Sequence, residues 1–449
     1  MAGNFARIIL GLVDMCFRWK GLFFFLVGAI LILPLSDVRS ETLEAAVYRA
    51  LSRSPELTAG ELLLLEAGEG VNKARSVWRP DVSLKIKGGR KRTTTDTTTS
   101  VASTTSFNPV SATLSLSQHL VDFGEASAAI KKSTILKEIS SEQLRKTKQE
   151  IIVGAVSAYI SVWRDLNLVM VSTSNEKVLN EQFVATQKKS KLREVTRTDV
   201  SQARARLQDA VSNRISADLT LQESLANFEE TIGPMFHLND VTWSLDLLGR
   251  YQLPLTIESA RALAYEKNSD MRKVRLEHNL ARYSVLEKRS ALLPTISLEA
   301  SLSDARNSAA TIDRSRDLSL EGVLTVPLYD SGESRSDLNS AKIEIRILLE
   351  NEKSTKLSLD RKILSLWNTL QRTDGQISSI EASVSANEMA LQGVRREVEV
   401  GTRTTLDLLN AENEYVQAQA SLISAVHDKS QSHFSLMFEC GLLDEVFVH

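Results

Sequence analysis

Residues 398–409 read VEVGTRTTLDLL, and residues 193–204 read REVTRTDVSQAR. In the later stretch Gly401 interrupts a long polar-apolar run and Thr404-x-x-Asp407 opens the next one. In the earlier stretch Thr196-x-x-Asp199 does the same without a glycine. Glycine tolerates the positive φ that closes a helix, and threonine followed three residues later by an acid makes a capping box. Each stretch therefore predicts a helix reversal. Arg193 stands where Gly401 would be, so the first reversal is expected to differ in geometry.

The recurrence extends far beyond these turns. TLEAAVYRALSRSPEL from Thr42 aligns with TIESARALAYEKNSDM from Thr256 at an offset of 214, and Pro80 meets Pro294 in the same register. LVDFGE from Leu120 then meets LYDSGE from Leu328 at an offset of 208, which holds through Asp199/Asp407 to Gly233/Gly441. A register kept over such a length means two copies of one structural plan, with the length change confined to a loop. The expected organisation is a first repeat over 41–240, a linker over 241–255, a second repeat over 256–442 and a tail over 443–449.

Within one unit, the pattern is helical from about Thr42 to Trp78 and ends at Pro80. Val82, Leu84 and Ile86 then alternate with polar neighbours, as do Ala112, Leu114 and Leu116, which predicts two strands with one apolar face. Ile296, Leu298, Ala300 and Leu302 repeat this in the second unit, as do Leu318, Leu320, Leu324 and Val326. Between the first two strands lies GGRKRTTTDTTTSVASTTSFNP, read as an exposed loop. Its Arg90, Lys91 and Arg92 are either solvated or in contact with acidic lipid headgroups.

After Asp122 and Asp330 helical patterning runs without proline to the two reversals. From Asp122 to Ser190 there are 69 residues, and one straight helix of that length reaches about 100 Å. Ile152, Val156, Tyr159, Trp163, Leu166 and Met170 form one seam, and Ala155, Ala158, Val162 and Val169 a second. Two seams imply neighbours on both sides. The returning helix carries a 3,4 ladder of Val200, Ala203, Leu207, Ala210, Ala217, Leu221 and Phe228, with Arg214 and Ser224 as polar rungs. Leu408, Ala411, Tyr415, Ala418, Leu422 and Ala425 follow the same ladder in the second unit.

Composition bounds the function. The 449 residues carry a net charge of −2, which gives no global field for nucleic acid. Residues 1–40 read as a secretory signal: Arg18 and Lys20 precede an apolar run from Gly21 to Leu33, and Val38-Arg39-Ser40 places cleavage before Glu41. An uncleaved membrane anchor is the other reading of that run. Cys16 and Cys440 are the two cysteines, and cleavage removes the first, so no intramolecular disulfide is expected; Cys16 also precedes the apolar run, so no lipid anchor is expected. After residue 40 no apolar stretch reads as a membrane-spanning helix, so a membrane crossing is expected as a barrel. The six histidines show no metal-ligand spacing, and neither GxSxG nor a nucleotide-binding motif occurs, so neither a cofactor nor an enzymatic activity is expected.

VGTRTTLDLLNAENEY from Val400, VTRTDVSQARARL from Val195, LVDFGE and VPLYDSGE, a strand-to-helix piece followed by a reversal in each of the two halves, resemble TolC-type outer-membrane efflux or secretion proteins across Thr42 to Leu442. The resemblance implies a mainly α chain with a membrane β-barrel. In it, three chains give four strands each to a 12-stranded barrel that continues into a long coiled α-helical periplasmic tunnel. It implies a homotrimer in outer-membrane lipid, joined through a periplasmic adaptor to an inner-membrane ABC or RND transporter, with no nucleic acid. Type I protein secretion is the preferred role, multidrug efflux the alternative, and a non-channel periplasmic coiled coil a more distant one. By the same resemblance the reversals at Thr196, Thr198 and Asp199 and at Gly401, Thr402, Arg403, Thr404, Asp407 and Asn410 form the tunnel's periplasmic entrance. Arg403 and Asp407 are its candidate constriction, Asp407 serving either as a cap alone or as cap and gate. Asn410 stands where some relatives carry a second carboxylate. Trp78, Phe123 and Tyr329 form an inner aromatic girdle or pack ordinarily.

Overall fold

Strand gives way to helix twice through the same device. The Asp122 carboxylate accepts hydrogen bonds from the backbone N–H of Gly124 at 3.0 Å and of Ala126 at 2.7 Å. Asp330 does so for Gly332 at 3.0 Å and Ser334 at 2.8 Å. In both turns two successive residues take positive φ, Phe123–Gly124 and Ser331–Gly332. Each aspartate satisfies two of the donors that a helix start leaves free.

The computed structural model describes residues 42–97, 100–234, 241–309 and 312–447. The expected signal sequence, its cleavage site before Glu41 and Cys16 lie outside the described residues. The first half runs α1 (Leu43–Arg53), α2 (Pro55–Arg75), β1 (Asp81–Gly88), β2 (Lys91–Thr97), β3 (Ser100–Phe107), β4 (Val110–Val121), α3 (Glu125–Lys191) and α4 (Arg197–Thr231). The second runs α5 (Ile257–Lys267), α6 (Ser269–Ser290), β5 (Thr295–Ala309), β6 (Ile312–Thr325), α7 (Glu333–Glu399), α8 (Thr405–Glu439) and a short α9 (Leu443–Phe447). α3 and α7 have 67 residues each, and α4 and α8 have 35 each. A 67-residue helix reaches about 100 Å.

Two details depart from the sequence reading. The helical run from Thr42 breaks at Ser54, whose side chain caps α2 while Pro55 takes its first turn, where a missing N–H costs nothing. The Thr/Ser-rich segment read as a loop is instead the β2–β3 ribbon, with Thr93 opposite Thr105 and Thr94 hydrogen-bonded to Thr104 at 3.0 Å. Threonine is β-branched and pairs well across strands, so low hydrophobicity does not prevent a ribbon. Described residues between and after the expected repeats also join the core: Trp243, Leu248, Tyr251 and Leu443 are buried, and Phe447 stacks on Tyr251 with ring centres 5.5 Å apart.

Strands pair antiparallel in the order β1-β4-β5-β6. Register aligns their side chains in rows. On one face run Leu84–Leu114–Leu302–Leu318 and Val82–Leu116–Ala300–Leu320; on the other run Ser83–Ser115–Ser301–Ser319 and Asp81–Ser117–Glu299–Glu321. The apolar face is open, with Leu84 64% and Leu320 71% exposed.

α3 packs against α2, α4, α6 and α8. Its seam residues Ile152, Ala155, Val156, Ala158, Tyr159 and Val162 are fully buried, together with Phe228 of α4 and Phe434 of α8, whereas Met170 faces outward. α3 also has a stretch apolar enough by composition to cross a membrane, contrary to the expectation for the chain after residue 40, but half of that stretch is buried in the protein. The polar rungs of α4 are partnered: Ser224 donates to the buried Asp165, and Arg214 pairs with Glu176 and Asp218.

Candidate functional site

At the far end of the long helices lie the two reversals. In the second, Gly401 has φ +83° and donates its N–H to the Val398 carbonyl, while the Thr402 N–H reaches the Glu397 carbonyl at 2.9 Å. In the first, Arg193 has φ +63°, its N–H reaches the Ser190 carbonyl, and the Glu194 N–H reaches Lys189 at 3.0 Å. These are two Schellman closures in the same register. The expected difference in geometry is therefore absent: Arg193 adopts the left-handed conformation that glycine adopts in the other copy, held there by the same pair of hydrogen bonds.

The capping boxes are complete. Thr196 accepts from the Asp199 N–H at 3.2 Å, and the Asp199 carboxylate accepts from the Thr196 N–H and hydroxyl, both at 2.8 Å. Thr404 accepts from the Asp407 N–H at 3.2 Å, and Asp407 accepts from the Thr404 hydroxyl at 2.7 Å and N–H at 3.0 Å. These bonds hold both carboxylates below their ordinary range, led by the backbone N–H at Asp199 and by the threonine hydroxyl at Asp407, where Arg403 adds an attractive charge. Arg403 itself pairs with Glu397 at 2.8 Å, and the Thr402 hydroxyl donates to the Glu397 carbonyl at 3.0 Å. Thr198 is exposed.

Sequence reasoning missed what joins the two reversals. Leu179 of α3, Ala210 of α4 and Leu409 of α8 form a small buried cluster, with Leu207 packed on it. Beside it Glu412 is buried, accepting from Arg395 of α7 at 2.7 Å and from Gln182 of α3 at 3.4 Å. Arg206 of α4 reaches the exposed Asn410 of α8 at 3.5 Å. Glu412 stands beside the apolar ladder and not on it, so the sequence offered no signal for its burial. Among the described residues no cluster of His, Cys, Asp and Glu could hold a metal.

Two antiparallel helix hairpins with these ends, below a four-stranded sheet with an open apolar face, invite comparison with known channels. The outer membrane efflux protein model matches residues 46–234 and again residues 260–441. The chain belongs to the outer membrane efflux protein family. Among its relatives, the outer membrane efflux protein BepC of Brucella suis is 27% identical over 90% of this chain and 86% of that protein. The alkaline protease secretion protein AprF of Pseudomonas aeruginosa is 28% identical over 94% of this chain and 88% of that protein. The crystal structure of the Campylobacter jejuni CmeC outer membrane channel superposes with a TM-score of 0.77 at 18% identity, covering 89% of this chain and 86% of that one. As a member of the outer membrane efflux protein family the chain is an outer-membrane transport protein linked to efflux and secretion, not an enzyme.

Proposed function

We propose that the chain is one third of a homotrimeric exit duct whose three sheets close a 12-stranded barrel in the outer membrane and whose helices form the periplasmic tunnel. The carrying observation is the sheet: one face apolar and open along aligned rows, the other polar, with β1 and β6 as unpaired edges. Unpaired edges are not tolerated in lipid, and closure with neighbouring copies removes them. Trp78, Phe123 and Tyr329, all exposed near the strand ends that lead to the helices, fit an aromatic girdle at the inner interface. Two matches to one family model and helices of equal length in each half support the internal repeat. Residues 1–40 serve as the signal sequence that exports the chain.

The duct has no energy source of its own, so it works with a periplasmic adaptor and an inner-membrane transporter. We assign it to type I protein secretion, supported by its likeness to the alkaline protease secretion protein; likeness to an efflux protein of nearly equal identity supports drug efflux as the second reading. Deleting the gene separates them: lost protein secretion with unchanged drug sensitivity is expected, and the reverse overturns the assignment.

The reversals form the entrance, with Arg403 and Asp407 at its constriction and Thr196, Thr198, Asp199, Gly401, Thr402, Thr404 and Asn410 shaping it. Asp407 caps its helix and leaves the rest of its charge for a neighbouring copy. Asp407→Ala is expected to raise resting ion conductance in planar bilayers; unchanged conductance leaves the cap as its whole role.

A further inference from the structure

Beyond its apolar rows the sheet changes character on the same face. Next to Leu84–Leu114–Leu302–Leu318 comes the row Ile86–Ala112–Asp304–Arg316, and then Gly88–Val110–Arg306–Arg314. Asp304 is shared by two guanidinium groups, Arg314 at 2.5 Å and Arg316 at 3.2 Å. Arg306 is exposed and has no carboxylate partner among the described residues, yet it stands directly opposite Arg314 across the strand pair. Like charges directly opposite on a sheet destabilise it. Arg314 already gives its Nε and Nη2 to Asp304, which leaves its Nη1 and the whole Arg306 fork to meet an anion, and an arginine fork suits a phosphate. Arg90 precedes β2 and Lys91 and Arg92 open it, and its partner β3 packs beside β5, so the surroundings add positive charge.

We propose that Arg306 and Arg314, with Arg316 beside them, bind a phosphate of the phosphorylated glycolipid in the outer leaflet, whose acyl chains lie along the Leu302 and Leu318 rows. The site rests on the barrel reading given above, because that reading turns this face toward lipid and places these strand ends, remote from the helices, at the outer surface. Its position supports this occupant: the cations begin where the apolar band stops, the depth at which headgroup phosphates meet acyl chains.

The full mature chain, purified in mild detergent, tests this by native mass spectrometry with bisphosphorylated lipid A, dephosphorylated lipid A and phosphatidylglycerol as probes. Wild type is expected to retain the bisphosphorylated form, and the R306Q/R314Q variant to retain it about tenfold less. R306K/R314K, which keeps the charge, is expected to lie between them. Equal retention by wild type and R306Q/R314Q, or equal binding of the dephosphorylated lipid or of phosphatidylglycerol, overturns the assignment. Planar-bilayer conductance of the same samples reads the barrel separately: a conducting channel without phosphate-dependent retention overturns the site alone, whereas a chain that never conducts overturns barrel and site together.

Discussion

Arg193 is held in a left-handed conformation that costs an L-residue roughly 1–2 kcal/mol relative to the right-handed one, while Gly401 occupies the equivalent place without that penalty. Arg193→Gly is therefore expected to stabilise the first reversal by up to about 1 kcal/mol, seen as slower amide hydrogen exchange at Glu194; faster exchange there would mean that the arginine side chain contributes more than its backbone costs. The residue letter hid this geometry, because the hydrogen bonds to Ser190 and Lys189 impose a conformation that arginine does not itself prefer. The capping boxes were legible, since Thr-x-x-Asp states a local bond pattern. His433 is buried in α8. Its Nε2 lies 2.7 Å from the Tyr251 carbonyl, and burial lowers its pKa, with Lys429 adding to that while the Tyr251 bond and Asp374 oppose it. The unfolded chain then binds the proton more readily, so stability falls as pH drops below the ordinary histidine value of about 6.5. Thermal unfolding between about pH 7 and pH 5 should show a drop that His433→Gln, which keeps an N–H donor, reduces.

Among the elements, the 67-residue helices were legible from proline-free 3,4 periodicity, and the strands from strict alternation. Three things were not. The β2–β3 ribbon lacks apolar alternation and depends on Thr–Thr pairing; the break at Ser54 is a local cap inside an unbroken apolar pattern; and the contact between the two hairpins depends on partners far apart in sequence. Glu412 shows why the last fails. Its side chain is 6% exposed and it bonds Arg395 and Gln182 on two other helices, yet in sequence it is one acid among many on a polar surface. Arg395 is half exposed and can return to water, so Glu412→Ala is expected to cost about 1.5–3 kcal/mol, the worth of a charged hydrogen bond, and not the larger penalty of a stranded buried charge. Spin labels at Thr198 and Thr402 would then report a broader distance distribution between the reversals than in wild type. An unchanged distribution would assign their alignment to the Leu179–Ala210–Leu409 cluster alone.

In the proposed barrel the decisive property is which face of the sheet meets lipid. Leu320 and Ser319 are neighbours in β6 whose side chains leave on opposite faces, Leu320 in the row with Val82, Leu116 and Ala300, and Ser319 bonded to Ser301 at 2.8 Å. A period of two means that, in that proposed barrel, a charge moved by one residue passes from the lipid side to the lumen side. If the proposed trimeric barrel forms, Leu320→Arg places a cation within its apolar band and is expected to cost about 2–4 kcal/mol near mid-depth, seen as loss of the assembled protein from outer-membrane fractions. Ser319→Arg is expected to assemble normally and to shift the channel's ion selectivity toward anions, measured as reversal potential in planar bilayers. A soluble coiled-coil protein would respond in the opposite order: the arginine at exposed Leu320 would improve solubility, and no selectivity could be recorded for either variant. Equal tolerance of both substitutions would remove the physical ground for a barrel, because nothing else requires a row of leucines to stay uncovered on a folded chain.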